Sequence, residues 1–229
     1  SGSKIREQVA HFLVDIHTIY NNIRKFVVFQ LTINVAAVGI SFVAPLLGFQ
    51  PPLTITQMLW VNLVMDTLAA LALGGEPALA EYMREKPKRR DENIISKPMW
   101  TQILTGATWT FALSLVYIMT SFASGFFRPD PDDMFNKYLL TGYFSFFILI
   151  AVCNAFNVRT NGLNLLANVG RNPGFIQVMG LIVIVQVIMT YLGGEVLSCY
   201  GLVASEWGFV IVTALTIIPV DMIRKIIIR

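Results

Sequence analysis

Residues 57–77 read QMLWVNLVMDTLAALALGGEP, an apolar stretch with two polar side chains near its middle. About 20 helical residues cross the ~30 Å hydrocarbon core of a bilayer, so this length predicts a membrane span. Asn62 and Asp66 are four residues apart and therefore share one face of a helix. An ionised carboxylate at this depth costs on the order of 3 kcal/mol and usually serves a function. We predict that both residues bind a hard cation through oxygen atoms. The alternative is that Asp66 only forms hydrogen bonds between helices.

The whole chain has the composition of a membrane protein. Of its 229 residues, 55% are hydrophobic and 14% are charged. The mean hydropathy of +0.63 is too high for an ordinary soluble domain. Two cysteines are too few for a disulfide framework. They lie far from both histidines in the sequence, so no zinc site is predicted. The sequence also contains no phosphate-binding glycine loop, dinucleotide fingerprint or nucleophile elbow.

Six apolar runs of near-membrane length predict an all-α fold, a six-transmembrane-helix bundle. Residues 1–3 look like a cloning remnant and are left out of the fold. Residues 4–25 have helical spacing and predict a short amphipathic helix, either a stalk that couples the membrane to a cytoplasmic partner or a plain juxtamembrane helix. The membrane domain is predicted at 26–229. Its spans are about 26–47, 55–74, 99–123, 138–157, 175–194 and 206–223.

The basic residues are distributed unevenly between the two sides of this predicted bundle. If residue 25 is cytoplasmic and the chain crosses six times, 15 of the 17 Lys and Arg residues fall on the cytoplasmic side. The exceptions are Arg128 and Lys137, whose loops also carry acids. The positive-inside rule therefore predicts that both termini are cytoplasmic. The run Arg84–Arg90 fits this orientation signal and contact with anionic lipid headgroups, so we predict no nucleic-acid partner.

Asn34 is the third candidate ligand, in the middle of the first predicted span. It would reach Asn62 and Asp66 if the first two spans form a hairpin. For Asn154, Asn157 and Gln186 we predict hydrogen bonds between helices. Calcium takes six to eight oxygen ligands, so backbone carbonyls, waters or residues outside this chain must complete the site. We also expect the helix to be locally distorted around residues 62–68.

Three stretches of the chain together resemble a known family. They are IYNNIRKFVVFQLTINVAAV at 19–38, the stretch at 57–77, and FFILIAVCNAFNVRT at 146–160. They closely resemble the C-terminal membrane half of P-type calcium-transporting ATPases, of the plasma-membrane type or a bacterial relative. The resemblance runs from about Ile19 to about Glu206. It implies that the six spans correspond to the fifth to tenth transmembrane helices of such a pump.

The resemblance also implies roles for individual residues. Asn62 and Asp66 in WVNLVMD match positions whose side chains bind calcium, and Asn34 in TINVAAV matches the membrane asparagine of the preceding helix. Three positions depart from the two-ion sarcoplasmic-reticulum pumps, which have two glutamates and a threonine there: Ala37, Met65 and Ala151. The resemblance therefore implies one Ca²⁺ per cycle, exported in exchange for H⁺.

Much of such a pump has no counterpart in these 229 residues. The family's phosphorylated aspartate, nucleotide-binding domain, actuator domain and first four helices are missing. We therefore interpret the chain as a fragment, a split subunit or an engineered fusion that should not hydrolyse ATP alone. Its expected partners are the lipid bilayer of the plasma membrane and the N-terminal half of the pump with its Mg²⁺ and ATP sites.

Two other functions stay open at this stage. One is a structural or assembly bundle that carries no ions of its own. The other is a pump module for a different cation such as Mn²⁺, which accepts similar oxygen ligands.

Overall fold

The computed structural model describes residues 2–76, 95–130 and 136–228. The described residues form helices joined by turns and loops, without β-strands, which confirms the predicted all-α fold. The basic run Arg84–Arg90 and the loop acids Asp132 and Asp133 lie outside the described residues.

The first two apolar runs form very different helices. Helix α1 (Gly2–Leu46) is continuous, so no break separates the predicted stalk from the first predicted span. The second run forms α2 (Ile55–Leu63), a π-helical segment (Val64–Ala69) and α3 (Ala70–Gly74). We call the whole of Ile55–Gly74 the interrupted helix.

The later runs form the remaining helices of the bundle. They are α4 (Lys97–Met119), α5 (Ser121–Ser124), α6 (Lys137–Arg159), a 3₁₀ turn (Val169–Arg171), α7 (Pro173–Leu192), α8 (Gly194–Leu197), α9 (Ala204–Leu215) and α10 (Ile217–Ile228). Side-chain hydrogen bonds cap the N-termini of two of these helices, α6 and α7. Asn136 accepts hydrogen bonds from the backbone N–H groups of Tyr138 and Leu139, and Asn172 accepts one from Phe175.

Within the described ranges, five helical segments are long and apolar enough to cross a membrane. The sixth predicted run, about 206–223, forms two consecutive helices, α9 and α10, with a break at Thr216, and is therefore not one of these five continuous segments. Pro219 lies in the first turn of α10 and has no N–H to donate to the Leu215 carbonyl four residues earlier. The Thr216 hydroxyl donates to the Thr213 carbonyl at 2.6 Å beside this break.

Helix α6 is the centre of the bundle and packs against α1, α4, α7, α9 and α10. Of its apolar span, 67% is buried, against 27% for the interrupted helix. The buried rings of Tyr143 and Phe146 contact Tyr117 of α4. The Tyr143 hydroxyl also donates to Ser114 Oγ at 2.9 Å. A side chain at Gly142 would overlap the ring of Phe127, so glycine is required for this close approach.

Polar contacts join the helices at both ends of the bundle. At one end, Arg24 of α1 donates to Ser96 Oγ at 3.0 Å, and Lys225 of α10 donates to the Asn157 carbonyl at 2.8 Å. A cavity of about 320 Å³ opens there, lined in part by Arg24, Lys25, Arg224 and Lys225. We call this the basic end. The prediction of six membrane crossings puts these residues on the same side of the membrane, and in the structure they lie together at this end.

The opposite end has an ion pair whose carboxylate is buried. Arg128 Nε lies 3.0 Å from Glu206 Oε1, and the Glu206 side chain is fully buried. The backbone N–H groups of Arg128 and Val203 also donate to this carboxylate, at 2.9 and 2.8 Å. Glu206 thereby ties the loop after α5 to the start of α9.

Candidate cation site

The interrupted helix changes geometry at the position of the predicted ligands. Residues Val64–Ala69 form a π-helical segment, in which the backbone bonds reach five residues back and the turn is wider. The N–H of Ala70 then donates to the Thr67 carbonyl, three residues earlier, as α-helical geometry returns. The distortion predicted for this stretch is confirmed. Single π-helical turns inside α-helices occur often at functional sites.

The structure places the three candidate ligands on two neighbouring elements. Asn62 is exposed in the last turn of α2, and Asp66 lies within the π-helical segment, where its backbone is described and its side chain is not. Asn34 is half-buried on α1, which packs against the π-helical segment and α3. Among the side chains that the structure describes, no hydrogen bond joins Asn34 to Asn62. Their roles as ligands stay a prediction.

The carboxylates, thiols and imidazoles of the described residues do not form a separate metal centre. Within the described ranges, no three His, Cys, Asp or Glu side chains cluster closely enough to hold a metal ion. A cation at the interrupted helix would therefore depend on amide and carbonyl oxygens together with the carboxylate of Asp66. Such oxygens suit a hard cation.

The surface beside the candidate site is exposed and apolar. On the interrupted helix, Leu59 and Leu71 are each 66% exposed. On α1, Val35 and Val38 are also exposed. Exposed apolar side chains on helices of membrane length contact lipid or another protein segment. The described part of the chain thus leaves these residues beside the candidate ligands uncovered.

The N-terminal end of the interrupted helix is held by Gln57. The Thr54 N–H donates to Gln57 Oε1 at 3.0 Å, and the Gln57 N–H donates to Thr54 Oγ1 at 3.2 Å, which is a reciprocal capping box. Gln57 Nε2 also donates to the Leu197 carbonyl at 2.7 Å, so it ties this end to α8. Our sequence reasoning missed this role, although the spacing of Thr54 and Gln57 carries the signal of a capping box.

The C-terminal end of the interrupted helix is held by a buried polar cluster. We call it the Glu76 junction, and its members come from four parts of the chain: Asn22 and Lys25 of α1, Glu76, Arg159 of α6, and Asn172 before α7. Arg159 Nε donates to Glu76 Oε1 at 2.6 Å, and Asn172 Nδ2 donates to the same oxygen at 2.9 Å. Lys25 Nζ lies 3.9 Å from Glu76 Oε2.

Two asparagines of the junction bind backbone carbonyls at the end of α3. Asn22 Nδ2 donates to the carbonyls of Gly74 and Glu76, both at 3.0 Å. Asn172 Nδ2 donates to the Ala72 carbonyl at 3.3 Å. The last carbonyls of a helix have no partner within the helix, so these amides replace water there. Sequence reasoning missed the junction, because nothing in the sequence links residues this far apart.

The predicted hydrogen bonds between helices are confirmed for two of three residues. Asn157 Nδ2 of α6 donates to the Ile217 carbonyl of α10 at 3.1 Å. Gln186 Nε2 of α7 donates to Ser145 Oγ of α6 at 3.4 Å. Asn154 is buried, but its amide nitrogen makes no hydrogen bond within the described part of the chain.

Lys225 is a second buried cation at the basic end. Its ammonium group lies 2.9 Å from Asp221 Oδ2 within α10. Burial lowers the pKa of Lys225, and the hydrogen bond and charge of Asp221 oppose that shift. Because the ammonium also donates to the Asn157 carbonyl, it fixes the end of α10 against α6.

Comparison with known proteins identifies the family. The sequence profile described as "Cation transporting ATPase, C-terminus" matches residues 50–227. "Calcium-transporting ATPase 12, plasma membrane-type" of Arabidopsis thaliana is 35% identical over 210 residues, which are 91% of this chain and 20% of that protein. "Calcium-transporting ATPase 7, plasma membrane-type" of Oryza sativa subsp. japonica is 37% identical over 203 residues, 82% of this chain and 19% of that protein.

These matches confirm the resemblance that the sequence motifs indicate. The chain spans about a fifth of the length of the curated relatives it matches. The matched segment and the helical, apolar structure agree, and this chain belongs to the family of C-terminal membrane regions of cation-transporting ATPases.

Proposed function

We propose that this chain is the cation-binding membrane part of a calcium pump, and that the interrupted helix supplies ligands for Ca²⁺. One observation carries the proposal: the helix departs from α-helical geometry at Val64–Ala69, around the only carboxylate in its apolar run. Relatives that share about a third of its residues are named as calcium-transporting ATPases, which supports Ca²⁺ as the cation.

The proposed site has one Ca²⁺, bound by the carboxylate of Asp66 and the amide oxygens of Asn62 and Asn34. These side chains supply fewer oxygens than Ca²⁺ requires. Backbone carbonyls of the π-helical segment, waters and residues of the missing segments complete the shell. The apolar surface left open beside Asn62 supports this division of the site. A carboxylate that takes up protons when Ca²⁺ leaves would couple export to H⁺ entry.

In the proposed pump this chain works with a larger partner segment. That segment would carry the phosphorylated aspartate and the Mg²⁺ and ATP sites, and this chain would not hydrolyse ATP alone. We propose a plasma-membrane location with both termini in the cytoplasm. The basic end supports this orientation, because Arg24, Arg159 and Lys225 lie there, on the side that the positive-inside rule assigns to the cytoplasm.

The test is a calorimetric titration of Ca²⁺ into the chain in lipid nanodiscs. We expect weak, saturable binding that Asp66→Asn abolishes, because the amide removes the charge that balances the cation. Asp15→Asn is the matched control, since Asp15 is exposed on α1, outside the interrupted helix. Mg²⁺ should bind less well, because it requires a near-octahedral shell and dehydrates reluctantly.

Two results would contradict the proposal. Equal Ca²⁺ binding by the unaltered chain and Asp66→Asn would place the ion elsewhere. Tighter binding of Mn²⁺ than of Ca²⁺ would instead favour a pump for a different cation. A competition titration with both ions in the same nanodiscs distinguishes these cases.

A further inference from the structure

The cavity at the basic end, which we call the basic cavity, has a strongly positive wall. Arg24 and Lys25 of α1 and Arg224 and Lys225 of α10 line it, and among the described residues no carboxylate does. Its volume of about 320 Å³ compares with about 30 Å³ for one water in the liquid. The cavity therefore has room for a charged group of several atoms, and its wall would attract an anion.

Two carboxylates near the basic cavity compensate only part of this charge. Arg224 Nε donates to Asp221 Oδ1 at 2.7 Å, and Lys225 Nζ lies 2.9 Å from Asp221 Oδ2, so these two cations share one carboxylate. Lys25 Nζ is 3.9 Å from Glu76 Oε2, and the other oxygen of Glu76 already forms a shorter ion pair with α6. The Lys225 side chain is 4% exposed, so water screens its charge little.

Arg24 has no carboxylate partner within the described ranges. Its Nη2 donates to Ser96 Oγ at 3.0 Å, and its Nε donates to Met99 Sδ at 3.1 Å. The guanidinium carbon also lies 5.5 Å from the centre of the Tyr20 ring. These neutral contacts hold the guanidinium at the cavity wall. A guanidinium has five N–H donors in a planar fork that matches phosphate oxygens, so donors are left for a ligand.

The uncompensated charge favours a phosphate monoester as the ligand. The four cations exceed the two neighbouring carboxylates by at least two positive charges. A phosphate monoester carries about −1.5 to −2 charges at pH 7, whereas a phosphodiester carries a single negative charge. A monoester would therefore balance the wall of the cavity, and its oxygens can accept two parallel hydrogen bonds from an arginine.

The surroundings of the basic cavity favour a lipid as the source of that phosphate. Val28, Val158 and Ile228 add apolar side chains to the cavity wall. Ile223 and Ile227, one helical turn apart on α10, are 56% and 77% exposed and can contact acyl chains. In the orientation proposed above, the cavity lies on the cytoplasmic side, where anionic lipids attract basic residues.

We propose that the basic cavity is a binding site for one phosphate monoester group, with a membrane lipid as its favoured source. Arg24 and Arg224 bind the phosphate oxygens, and Lys25 and Lys225 supply further positive charge. The ligand would join the ends of α1 and α10 by balancing cations from both helices. This site is separate from the candidate cation site, so it stands or falls independently of Ca²⁺ binding.

The first test compares two lipids that differ in the charge of the phosphate. The chain in neutral detergent is titrated with dioleoyl phosphatidic acid, a monoester, and with dioleoyl phosphatidylglycerol, a diester, and bound lipid is counted by native mass spectrometry. We expect one phosphatidic acid per chain, bound at least tenfold more tightly than phosphatidylglycerol. Equal affinity for the two lipids would overturn the proposal.

The second test distinguishes a defined site from general attraction to a basic surface. Arg24→Gln and Arg224→Gln each remove a charged donor from the cavity wall and should weaken phosphatidic acid binding about tenfold. Arg171→Gln is the matched control, because Arg171 is exposed and does not line the cavity. We expect its affinity to stay within twofold of the unaltered chain. An equal loss in all three variants would overturn the proposal.

Thermal unfolding keeps loss of the site distinct from loss of folding and identifies the source of the phosphate. A ligand that binds the folded chain raises the midpoint of unfolding, so the rise is compared rather than the midpoint itself. Phosphatidic acid should raise the midpoint of the unaltered chain and of Arg171→Gln, but not of Arg24→Gln. If only inorganic phosphate gives a rise that requires Arg24, the site is confirmed with a soluble phosphate as its ligand. If neither gives such a rise, the proposal is overturned.

Discussion

Helix α6 and the interrupted helix are both apolar and of membrane length, yet they differ in regularity and in how much of each is buried. Helix α6 is continuous over Lys137–Arg159, and 67% of its apolar span is buried by the rest of the chain. The interrupted helix changes geometry at its centre, and only 27% of its apolar span is buried. The chain therefore buries its central helix, whereas the interrupted helix is largely exposed, as are α4 and α7 with 28% buried in each.

The polar residues of the two helices also differ, in burial and in whether they bond to other parts of the chain. On α6, Ser145, Asn157 and Arg159 are buried and bonded to other helices or loops. Among the described side chains of the interrupted helix, Gln57 near the first end is bonded in this way, while Asn62 and Thr67 near the centre are exposed. A polar residue without a partner in an apolar span must find one elsewhere. In the pump proposed above, ligands and helices of another segment would supply such partners.

The largest expected effect comes from breaking the ion pair at the end of α6. Arg159→Gln leaves the carboxylate of Glu76 buried without its main partner, and removing one member of such a pair costs about 3–5 kcal/mol. Thermal unfolding in detergent measures this loss. Arg171→Gln is the control, because Arg171 is exposed. A change in Arg159→Gln no larger than in the control would show that the pair contributes nothing to α6.

A smaller loss of stability is expected at Gly142, where α6 is packed most closely. In Gly142→Ala the new methyl group would overlap the ring of Phe127, and overpacking of this kind costs about 1–3 kcal/mol. Gly180→Ala in α7 is the matched control, since nothing lies within 4 Å of the position its methyl group would take. The midpoint of thermal unfolding should fall for the first variant and hold or rise for the second. The reverse order would contradict the packing described for α6.

The smallest expected effects on stability compare one asparagine of each helix, Asn157 of α6 and Asn62 of the interrupted helix. Asn157→Ala removes the hydrogen bond to the Ile217 carbonyl, which is expected to cost about 1 kcal/mol or slightly more. Asn62→Ala changes an exposed side chain and should alter the stability of the chain by less than about 0.5 kcal/mol. The same unfolding measurement compares them. A larger loss for Asn62→Ala would mean that Asn62 has a structural role in this chain.

Most of the fold could be predicted from hydropathy, because long apolar runs have few alternatives in a bilayer. Five runs have the expected helical segments. The break at Thr216 was missed, although Pro219 provides a physical reason for it. The end of α4 is also set locally, because Thr120 is extended (φ −109°, ψ 135°) and its side chain caps α5. Local backbone chemistry of this kind does not change average hydropathy.

The site was predictable only in part, for a different reason. Asn62 and Asp66, a polar pair in an apolar run, indicated that the interrupted helix carries the site. The distortion of this helix was expected because the candidate side chains supply too few oxygen ligands for Ca²⁺. The Glu76 junction was not predictable, because Asn22, Glu76, Arg159 and Asn172 are distant in sequence and each has an ordinary local explanation. Arg159, for example, was counted only as a signal of membrane orientation. Pairings of this kind depend on how the helices meet, which one sequence does not record.

The central claim is that the interrupted helix carries part of a Ca²⁺ site that another segment completes. The most direct test titrates Ca²⁺ into nanodiscs that hold this chain, with and without the N-terminal remainder of the Arabidopsis relative. With that remainder bound, we predict an affinity at least tenfold higher, equivalent to about 1.4 kcal/mol. The gain should disappear in Asp66→Asn and persist in Asp15→Asn. If the two parts assemble and Ca²⁺ affinity does not change, or if Asp66→Asn binds equally well, the claim is contradicted.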